Sequence, residues 1–269
     1  MRSQPEKAAL FRELHRPGDP LIMPNPWDPG SAKLFESLGF QALATTSGGF
    51  AGTLGRLDGN VTRAEAISHG ATVVAAVDLP VSADLENCFA DQPEGVAETV
   101  RFAVAAGLAG CSVEDWSGTE LYPGDLARER VAAAAEVAHG GEVGFVLTAR
   151  CENYLRGRPD LSATIERLQW YQEAGADVLY APGIKELEDI RALVSGLDRP
   201  VNVLALPGVP TVPELAAAGV ARVSVGSAFA NVAWGAVVEA ASELKDRGTY
   251  GYWKLAGAGS QAARSAFGS

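Results

Sequence analysis

The sequence AGADVLYA at residues 174–181 has two close relatives in the same chain, AGLAGCSV at 106–113 and AGVARVSV at 218–225. In each case a helical stretch ends in Ala-Gly, and a short apolar run begins one or two positions later. A glycine after a helix, followed by a buried apolar run, is typical of a helix-to-strand turn. Its recurrence along the chain predicts repeated βα units around one parallel sheet.

The same alternation extends over almost the whole chain and predicts eight strands and eight helices. The predicted strands are Leu21–Asn25, Ala42–Thr46, Val81–Leu85, Gly110–Glu114, Phe145–Ala149, Val178–Tyr180, Val201–Leu206 and Arg222–Val225. The predicted helices are Asp28–Leu38, Thr62–Val77, Pro93–Ala106, Arg128–Ala138, Ser162–Ala174, Glu186–Leu193, Val212–Ala218 and Asn231–Leu244. Eight βα units favour an α/β fold of the closed (β/α)8 TIM barrel type. An open doubly wound sheet is the alternative, but no G-x-G-x-x-G phrase follows the first strand.

The length of 269 residues alone fits either one barrel or two smaller domains. No linker rich in Pro, Gly and Ser divides the chain. We therefore expect a single barrel domain over residues 1–269. Its C-terminal tail, residues 245–269, is expected to contact the barrel or a neighbouring subunit.

The charge and apolar patterns exclude several classes of partner. The 22 Lys and Arg against 33 Asp and Glu give a net charge of −11, and no basic cluster is present, so nucleic acid is not an expected partner. No apolar run is long enough to span a membrane, and the charged N-terminus is unlike a signal peptide, so we expect a cytoplasmic protein. Cys88, Cys111 and Cys151 have no C-x-x-C spacing and are predicted to be buried apolar residues.

Carboxylates follow the predicted third and fourth strands, at the barrel end where active sites form. Asp84 and Glu86 are two residues apart and should point to the same side of an ideal strand, and Glu114 should join them from the next strand. Three acids close together repel unless a cation lies among them, and oxygen ligands suit Mg²⁺ or Mn²⁺. No histidine follows these strands, which disfavours zinc. The alternative is that each acid caps a helix or is solvated at the barrel rim.

Two further features follow strands five and two. Arg150 offers a planar guanidinium that can bind a carboxylate or phosphate through two hydrogen bonds, although a salt bridge to Glu152 or Glu114 fits equally well. The turn Ser47-Gly48-Gly49 exposes backbone N–H groups suited to a substrate carboxylate, although Gly-Gly also marks ordinary loops.

Several phrases together resemble the isocitrate lyase/phosphoenolpyruvate mutase superfamily over most of the chain, from Pro24 to about Ala230. They are NPWDPGSAKLFESLGFQALATTSGG (25–49), GRLDG (55–59), ADLEN (83–87), SVED (112–115), LTARCENYL (147–155) and GADVLYAPG (175–183). The resemblance implies a (β/α)8 barrel, usually with a C-terminal helix swapped between paired subunits. It also implies a homodimer or homotetramer in which Mg²⁺ holds a 2-oxo acid substrate.

The resemblance also assigns roles to individual residues. Asp84 is similar to the direct metal ligand, and Asp58, Glu86 and Glu114 are similar to the acids that hold the metal through water. Ser47 and Gly48, with Gly49 beside them, resemble the turn that grips the substrate carboxylate, and Arg150 resembles the arginine that steadies developing charge. Asn202 matches a polar position near the site. Arg150, Glu114 and Asp58 are therefore the predicted catalytic residues.

The chain departs from the family pattern at three places. Glu86 and Cys88 replace the usual Asp and Gly after the third strand. The loop after SVED, starting at Trp116, has no Lys-Cys-Gly-His motif, which carries the acid/base cysteine of isocitrate and methylisocitrate lyases. An acid of the sixth strand is missing around residues 181–183. The absence of the Lys-Cys-Gly-His motif disfavours both of those activities.

Three functions stay open from the sequence. The first is a Mg²⁺-dependent lyase that cleaves or decarboxylates a small 2-oxo carboxylate through a pyruvate-like enolate, with Glu114 or a metal-bound water handling the proton. The second is phosphorus–carbon chemistry, as in phosphonopyruvate hydrolase or phosphoenolpyruvate mutase. The third is an inactive barrel that still binds the oxo acid. The loops 116–125 and 153–158 are expected to read the distal half of the substrate.

Overall fold

The computed structural model describes residues 2–268 and contains eight parallel strands in a nearly closed barrel, which confirms the predicted α/β architecture. The strands are β1 Leu21–Met23, β2 Leu43–Ala44, β3 Val81–Asp84, β4 Gly110–Glu114, β5 Val146–Arg150, β6 Val178–Tyr180, β7 Val201–Leu204 and β8 Arg222–Ser224. The order around the barrel is β1-β8-β7-β6-β5-β4-β3-β2. Between β2 and β1 the barrel is closed by the Ala44 N–H, which donates to the Pro24 carbonyl at 3.2 Å.

Helices surround the barrel, and residues 2–268 contain more of them than the eight that the sequence predicts. They are α1 Gln4–Glu13, α2 Pro29–Ser37, α3 Ser47–Thr53, α4 Arg63–Ala76, α5 Pro93–Ala105, α6 Gly124–His139, α7 Leu161–Glu173, α8 Leu187–Ser195, α9 Val212–Ala217, α10 Ala228–Ser242 and α11 Trp253–Phe267. A π-helical turn, Glu243–Arg247, follows α10. Within residues 2–268, no helix is long and apolar enough to cross a membrane.

The glycines of the repeated turn behave as the sequence predicts. Gly107, Gly175 and Gly219 have φ angles of 84°, 105° and 84°, in the left-handed region that a side chain with a Cβ rarely adopts. Each therefore ends a helix and lets the chain enter the next strand. The three cysteines are free and buried, as expected.

The main apolar core lies between the sheet and its helices, where residues such as Leu43, Leu147 and Leu179 are fully buried. A second cluster closes the N-terminal end of the barrel. There α1, which the sequence analysis did not predict, packs Ala8, Phe11 and Leu14 against the starts of the strands. The end of the barrel opposite the site is therefore closed by packed apolar side chains.

The barrel interior is unusually polar, since TIM barrels mostly fill this space with large aliphatic residues. Side chains at alternate positions of neighbouring strands are small or polar here. They are Ser82, Ser112, Thr148, Asn202, Arg222 and Ser224, all buried. Small polar residues leave room, so the cavity at the C-terminal end extends down into the barrel.

His15, after α1, contributes to this interior and makes stability depend on pH. Its Nδ1 lies 2.7 Å from the Phe11 carbonyl, and its Nε2 lies 3.1 Å from the Arg222 guanidinium, so the ring is neutral with the proton on Nδ1. Burial, and then the charge of Arg222, lower the pKa of His15 from 6.5 to about 3. The unfolded chain takes up this proton first as the pH falls, so the stabilisation present above pH 6.5 is lost between about 6.5 and 3.

We expect His15→Gln to remove this dependence, because glutamine can still accept from Arg222 but does not titrate. Between pH 6 and 4, the free energy of unfolding of the wild type should fall relative to the variant by up to about 1.4 kcal/mol per pH unit. Urea unfolding of both proteins at several pH values measures the difference. Parallel pH profiles would show that His15 is not a buried neutral group.

Candidate active site

A cavity of about 660 Å³ opens at the C-terminal ends of the strands and reaches into the barrel. Its wall carries more negative than positive side chains, with two carboxylates in excess over guanidinium groups. The carboxylates are Asp58, Asp84, Glu86, Glu114 and Glu152, and the guanidinium groups are Arg150, Arg156 and Arg222. The predicted acids therefore do converge on one space.

Arg150 is at the centre of this charged group. It is the last residue of β5, one position beyond the predicted end of that strand. Its Nη1 lies 2.6 Å from Glu114 and 3.2 Å from Asp84, and its Nη2 lies 2.8 Å from Glu152. The salt bridges to Glu114 and Glu152 that the sequence left as an alternative are both present.

These neighbours shift one another's protonation. Burial disfavours the charged guanidinium, but the carboxylates of Glu114, Glu152 and Asp84 raise the pKa of Arg150 well above its ordinary value. Burial, despite the opposing effect of Arg150, raises the pKa of Glu114 well above its ordinary value. Arg150 is therefore a fixed cation on the cavity wall.

Glu152 was predicted only as a possible salt-bridge partner of Arg150. In the structure it also connects Arg150 to a buried hydrogen-bond network. Its side chain is 0% exposed and accepts from both Nε and Nη2 of Arg150. Its own backbone N–H donates to Asp115 at 2.8 Å, and the other Asp115 oxygen accepts from the Tyr171 hydroxyl at 2.7 Å. Buried hydrogen bonds of this kind hold the guanidinium in one orientation.

Asp84 ends β3 and contacts Ser47, the first residue of α3 after the neighbouring strand β2. The Ser47 backbone N–H and hydroxyl both donate to Asp84 Oδ2, at 3.2 and 3.0 Å. The Asp84 backbone N–H donates to the Thr45 hydroxyl at 2.9 Å. Ser47 therefore orients Asp84 directly, a contact that the sequence analysis did not anticipate.

Glu86 reaches the cavity by a different route from the one predicted. Strand β3 ends at Asp84, and Glu86 has a φ of 51°, so strand alternation does not place the two acids on one side as expected. Its Oε1 is buried without a hydrogen-bond partner among residues 2–268. Burial, and then Asp84 and Asp58, raise the pKa of Glu86 to about 7.

Gly48 and Gly49 lie in the first turn of α3, where the sequence predicted an open turn. They are absent from the cavity wall, and the Gly49 N–H donates to the Thr46 hydroxyl. A Cβ on Gly48 would lie 2.7 Å from the Ser227 hydroxyl oxygen, and one on Gly49 would lie 2.5 Å from a Thr46 carbon. Close packing therefore explains both glycines, and only Ser47 of this turn lines the cavity.

Asp58 and Asn202 both line the cavity, from different elements of the barrel. Asp58 belongs to the exposed loop after α3 and approaches Gly48. Asn202, on β7, is buried deep in the barrel, where it donates to the Ser224 hydroxyl at 3.0 Å.

The mouth of the cavity has its own contact between the two loops that the sequence singled out. The Arg156 guanidinium lies 4.5 Å from the ring centroid of Trp116, and its Nη2 lies 3.4 Å from Glu152. Arg156 is therefore held by two contacts on the cavity wall, although its side chain is still 35% exposed.

The residues present suit a divalent cation that keeps most of its water. Within the described part of the chain, no three His, Cys, Asp or Glu side chains are arranged to hold a metal ion by themselves. Mg²⁺ commonly binds through one or two carboxylates and several waters. The unpartnered Glu86 oxygen and the excess of two carboxylates fit such an ion.

Comparisons with known proteins agree with this architecture. A family model described as phosphoenolpyruvate phosphomutase matches residues 11–245. An uncharacterized protein of Mycobacterium tuberculosis strain H37Rv is 34% identical over 237 residues, which cover 88% of this chain and 89% of that protein.

Two solved structures are similar along nearly the whole chain. A Burkholderia cenocepacia J2315 protein, described provisionally as a lyase/mutase, has a TM-score of 0.90 at 50% identity, covering 93% of this chain and 92% of that one. An oxaloacetate acetylhydrolase in complex with its product oxalate has a TM-score of 0.84 at 26% identity, covering 93% and 90%.

Proposed function

The chain belongs to the phosphoenolpyruvate phosphomutase family, and we propose that it is a Mg²⁺-dependent lyase that cleaves a carbon–carbon bond of a small 2-oxo carboxylate. Its superfamily includes oxaloacetate acetylhydrolase, 2,3-dimethylmalate lyase and 2-methylisocitrate lyase, together with phosphoenolpyruvate phosphomutase. The observation that carries the proposal is the Arg150 guanidinium, fixed by three carboxylates on the wall of a deep cavity.

The cation would be held directly by Asp84 and through water by Asp58, Glu86 and Glu114. When bound, it supplies Lewis-acid polarisation of the 2-oxo group. Ser47 keeps Asp84 oriented through two hydrogen bonds. The proposed role of the acids, holding the cation, depends on their negative charge.

Arg150 stabilises the negative charge that develops on the substrate oxygen when the bond to C3 breaks. Its orientation is set before the reaction by Glu114 and Glu152, so little reorganisation is needed at that moment. Glu114 lies beside it on the cavity wall, and we assign to Glu114 the proton transfer to or from the enolate carbon.

Phosphorus–carbon chemistry is the second candidate. It is supported by the phosphoenolpyruvate phosphomutase model itself and by a similar Burkholderia cenocepacia structure described provisionally as a phosphonomutase. Both reactions would use the same cation site and the same guanidinium. The two candidate functions therefore differ in the substrate that the protein consumes.

A panel of substrates followed by ¹³C and ³¹P NMR separates the candidates. With Mg²⁺ present, we expect enzyme-dependent consumption of oxaloacetate or a related 2-oxo dicarboxylate, with the products identifying decarboxylation or hydrolytic cleavage. Consumption of phosphonopyruvate alone would favour the second candidate. If no 2-oxo acid or phosphonate is consumed, the lyase proposal is wrong, and titration of the same compounds then tests whether the barrel binds an oxo acid without turnover.

We also propose that the protein is a homo-oligomer. Helix α10 leaves Val232, Val237 and Val238 about two-thirds exposed, and α11 does the same for Trp253 and Leu255. Large apolar side chains left exposed on two consecutive helices are typical of an interaction surface. A second copy that exchanges these C-terminal helices would cover it, in keeping with the swapped helix that the family resemblance implies.

Light scattering on purified protein tests this association. We expect the mass of a dimer or a tetramer for the wild type, and dissociation for a Val232→Glu, Val238→Glu double variant, because burying two carboxylates in an apolar contact is unfavourable. A monomeric wild type at micromolar concentration would contradict the proposal.

A further inference from the structure

Arg222, which was not among the predicted site residues, lies at the inner end of the cavity. It is the first residue of β8, and its side chain turns into the barrel, where it is 3% exposed and lines the cavity wall. It contacts Thr148, two residues before Arg150 on β5, so it lies roughly 6.6 Å deeper than the Arg150 level. His15, beside α1 at the closed end, touches it from below.

The partners of this guanidinium are all uncharged. Its Nε donates to Asn202 at 3.0 Å, its Nη1 donates to His15 at 3.1 Å, and Nη1 and Nη2 both donate to the Thr148 hydroxyl at 3.2 Å. Within residues 2–268, no carboxylate lies within salt-bridge distance of Arg222. These hydrogen bonds also leave one of its five N–H groups, on Nη2, without an acceptor.

Arg222 therefore differs from Arg150 in its expected affinity for an anionic ligand. The charge of Arg150 is shared with three carboxylates, so Arg150 attracts a whole anion less strongly than an unpaired guanidinium does, although it can still stabilise charge that develops beside it. Arg222 is a buried cation without a counter-charge, an arrangement that is strongly unfavourable unless an anion arrives. Burial lowers its pKa only to about 10, so it remains charged at neutral pH.

We propose that Arg222, Asn202 and Thr148 form an anion subsite at the inner end of the cavity, and that it binds the distal carboxylate of a dicarboxylic substrate. The assignment to a substrate rests on the proposed lyase function, in which the 2-oxo end lies near Asp84 and Arg150. The inner subsite then selects dicarboxylates over monocarboxylates. It also places the distal half inside the barrel, rather than at the loops 116–125 and 153–158.

The subsite can be tested with succinate, a dicarboxylate that lacks the 2-oxo group, in the presence of EDTA. Isothermal titration should show binding to the wild type and at least a roughly 30-fold weaker affinity for Arg222→Met, because a buried charge partner is lost. Arg222→Lys keeps the charge without the planar fork and should retain part of the affinity. The exposed Arg101→Met should bind succinate as the wild type does.

A role limited to packing would give a different pattern. Arg222→Met would then change the thermal unfolding temperature but leave succinate affinity unchanged, and that result would overturn the subsite, as would a wild type that does not bind succinate. If Arg222→Met does not fold, the comparison of Arg222→Lys with the wild type decides, and equal affinities contradict the proposal.

Turnover separates this inference from the function on which it rests. For oxaloacetate, we expect Arg222→Met to raise KM at least about 30-fold, with a much smaller change in kcat. An unchanged KM would contradict the subsite even in an active lyase. Conversely, succinate binding that depends on Arg222 in a protein without lyase activity would leave the subsite standing and remove the proposed function.

Discussion

Arg150→Met should lower the free energy of unfolding by about 3–5 kcal/mol, because it removes the cation from a buried group of three carboxylates. Methionine has a similar length but cannot compensate the charge of Glu114, Glu152 or Asp84, which lie 2.6, 2.8 and 3.2 Å from the guanidinium. Turnover should fall by about 10²–10³ or more, since a preorganised donor at the developing charge is lost.

Urea unfolding and steady-state kinetics measure the two effects separately. Arg150→Lys should be intermediate in stability, because it keeps one charge but loses the fork that binds Glu152 and Glu114 together. Arg128→Met is the matched control: its 3.4 Å ion pair with Glu173 is exposed, and its loss should cost less than about 1 kcal/mol. An Arg150→Met variant as stable as this control would contradict the proposed charge balance.

Asp84→Asn should weaken Mg²⁺ binding and turnover by at least about 100-fold, because an amide keeps the shape of the side chain but removes its charge. Asparagine can still accept the two hydrogen bonds from Ser47 and loses only the 3.2 Å ion pair with Arg150, the longest of the three that Arg150 makes, so the fold around it should be retained. The loss would then report on the cation site rather than on packing.

Isothermal titration of Mg²⁺, with no substrate present, reads this effect independently of activity. Asp19→Asn is the control, since Asp19 is 82% exposed in the segment before β1, at the opposite end of the barrel. It should bind Mg²⁺ with the affinity of the wild type. Equal Mg²⁺ affinity for Asp84→Asn and the wild type would show that Asp84 does not hold the cation.

The barrel could be predicted from the sequence because its repeat is encoded locally. The Ala-Gly turns at Gly107, Gly175 and Gly219 require a left-handed backbone, and each begins a strand of the same sheet. Helix α1 was missed because its residues Ala8 and Phe11 are buried only by contact with distant strand starts. Its start nevertheless has a local signal that was not used, because Ser3 and Glu6 form a capping box and Pro5 lies in the first turn.

The acids of the site could be predicted in identity but only partly in arrangement. Asp84 and Glu114 end their strands as expected, whereas Glu86 enters the cavity from a left-handed turn that strand alternation does not describe. Gly48 and Gly49 are explained by close packing. A Cβ on Gly48 would meet Ser227, which is distant in the sequence, and one on Gly49 would meet the Thr46 side chain, whose position depends on the fold.

Arg222 had a signal that the sequence analysis did not use. Polar residues recur at alternate positions near the ends of neighbouring strands, as in Ser82 and Asp84, Ser112 and Glu114, Thr148 and Arg150, and Arg222 and Ser224. Alternation of this kind indicates a polar barrel interior. It places Arg222 inside the cavity but cannot show that its partners are all uncharged, which depends on the packing of His15, Thr148 and Asn202.

The rate at which the wild-type protein consumes oxaloacetate, followed by NMR with Mg²⁺ and again after EDTA, tests the central claim most directly. The spontaneous rate is measured without protein and subtracted, and Asp84→Asn serves as the control protein with a weakened cation site. We predict consumption that requires both protein and metal, is lost with EDTA, and returns with Mg²⁺ or Mn²⁺. A rate equal to the spontaneous one for oxaloacetate and for the related 2-oxo dicarboxylates, or a protein-dependent rate that EDTA leaves unchanged, would contradict the proposed metal-dependent lyase.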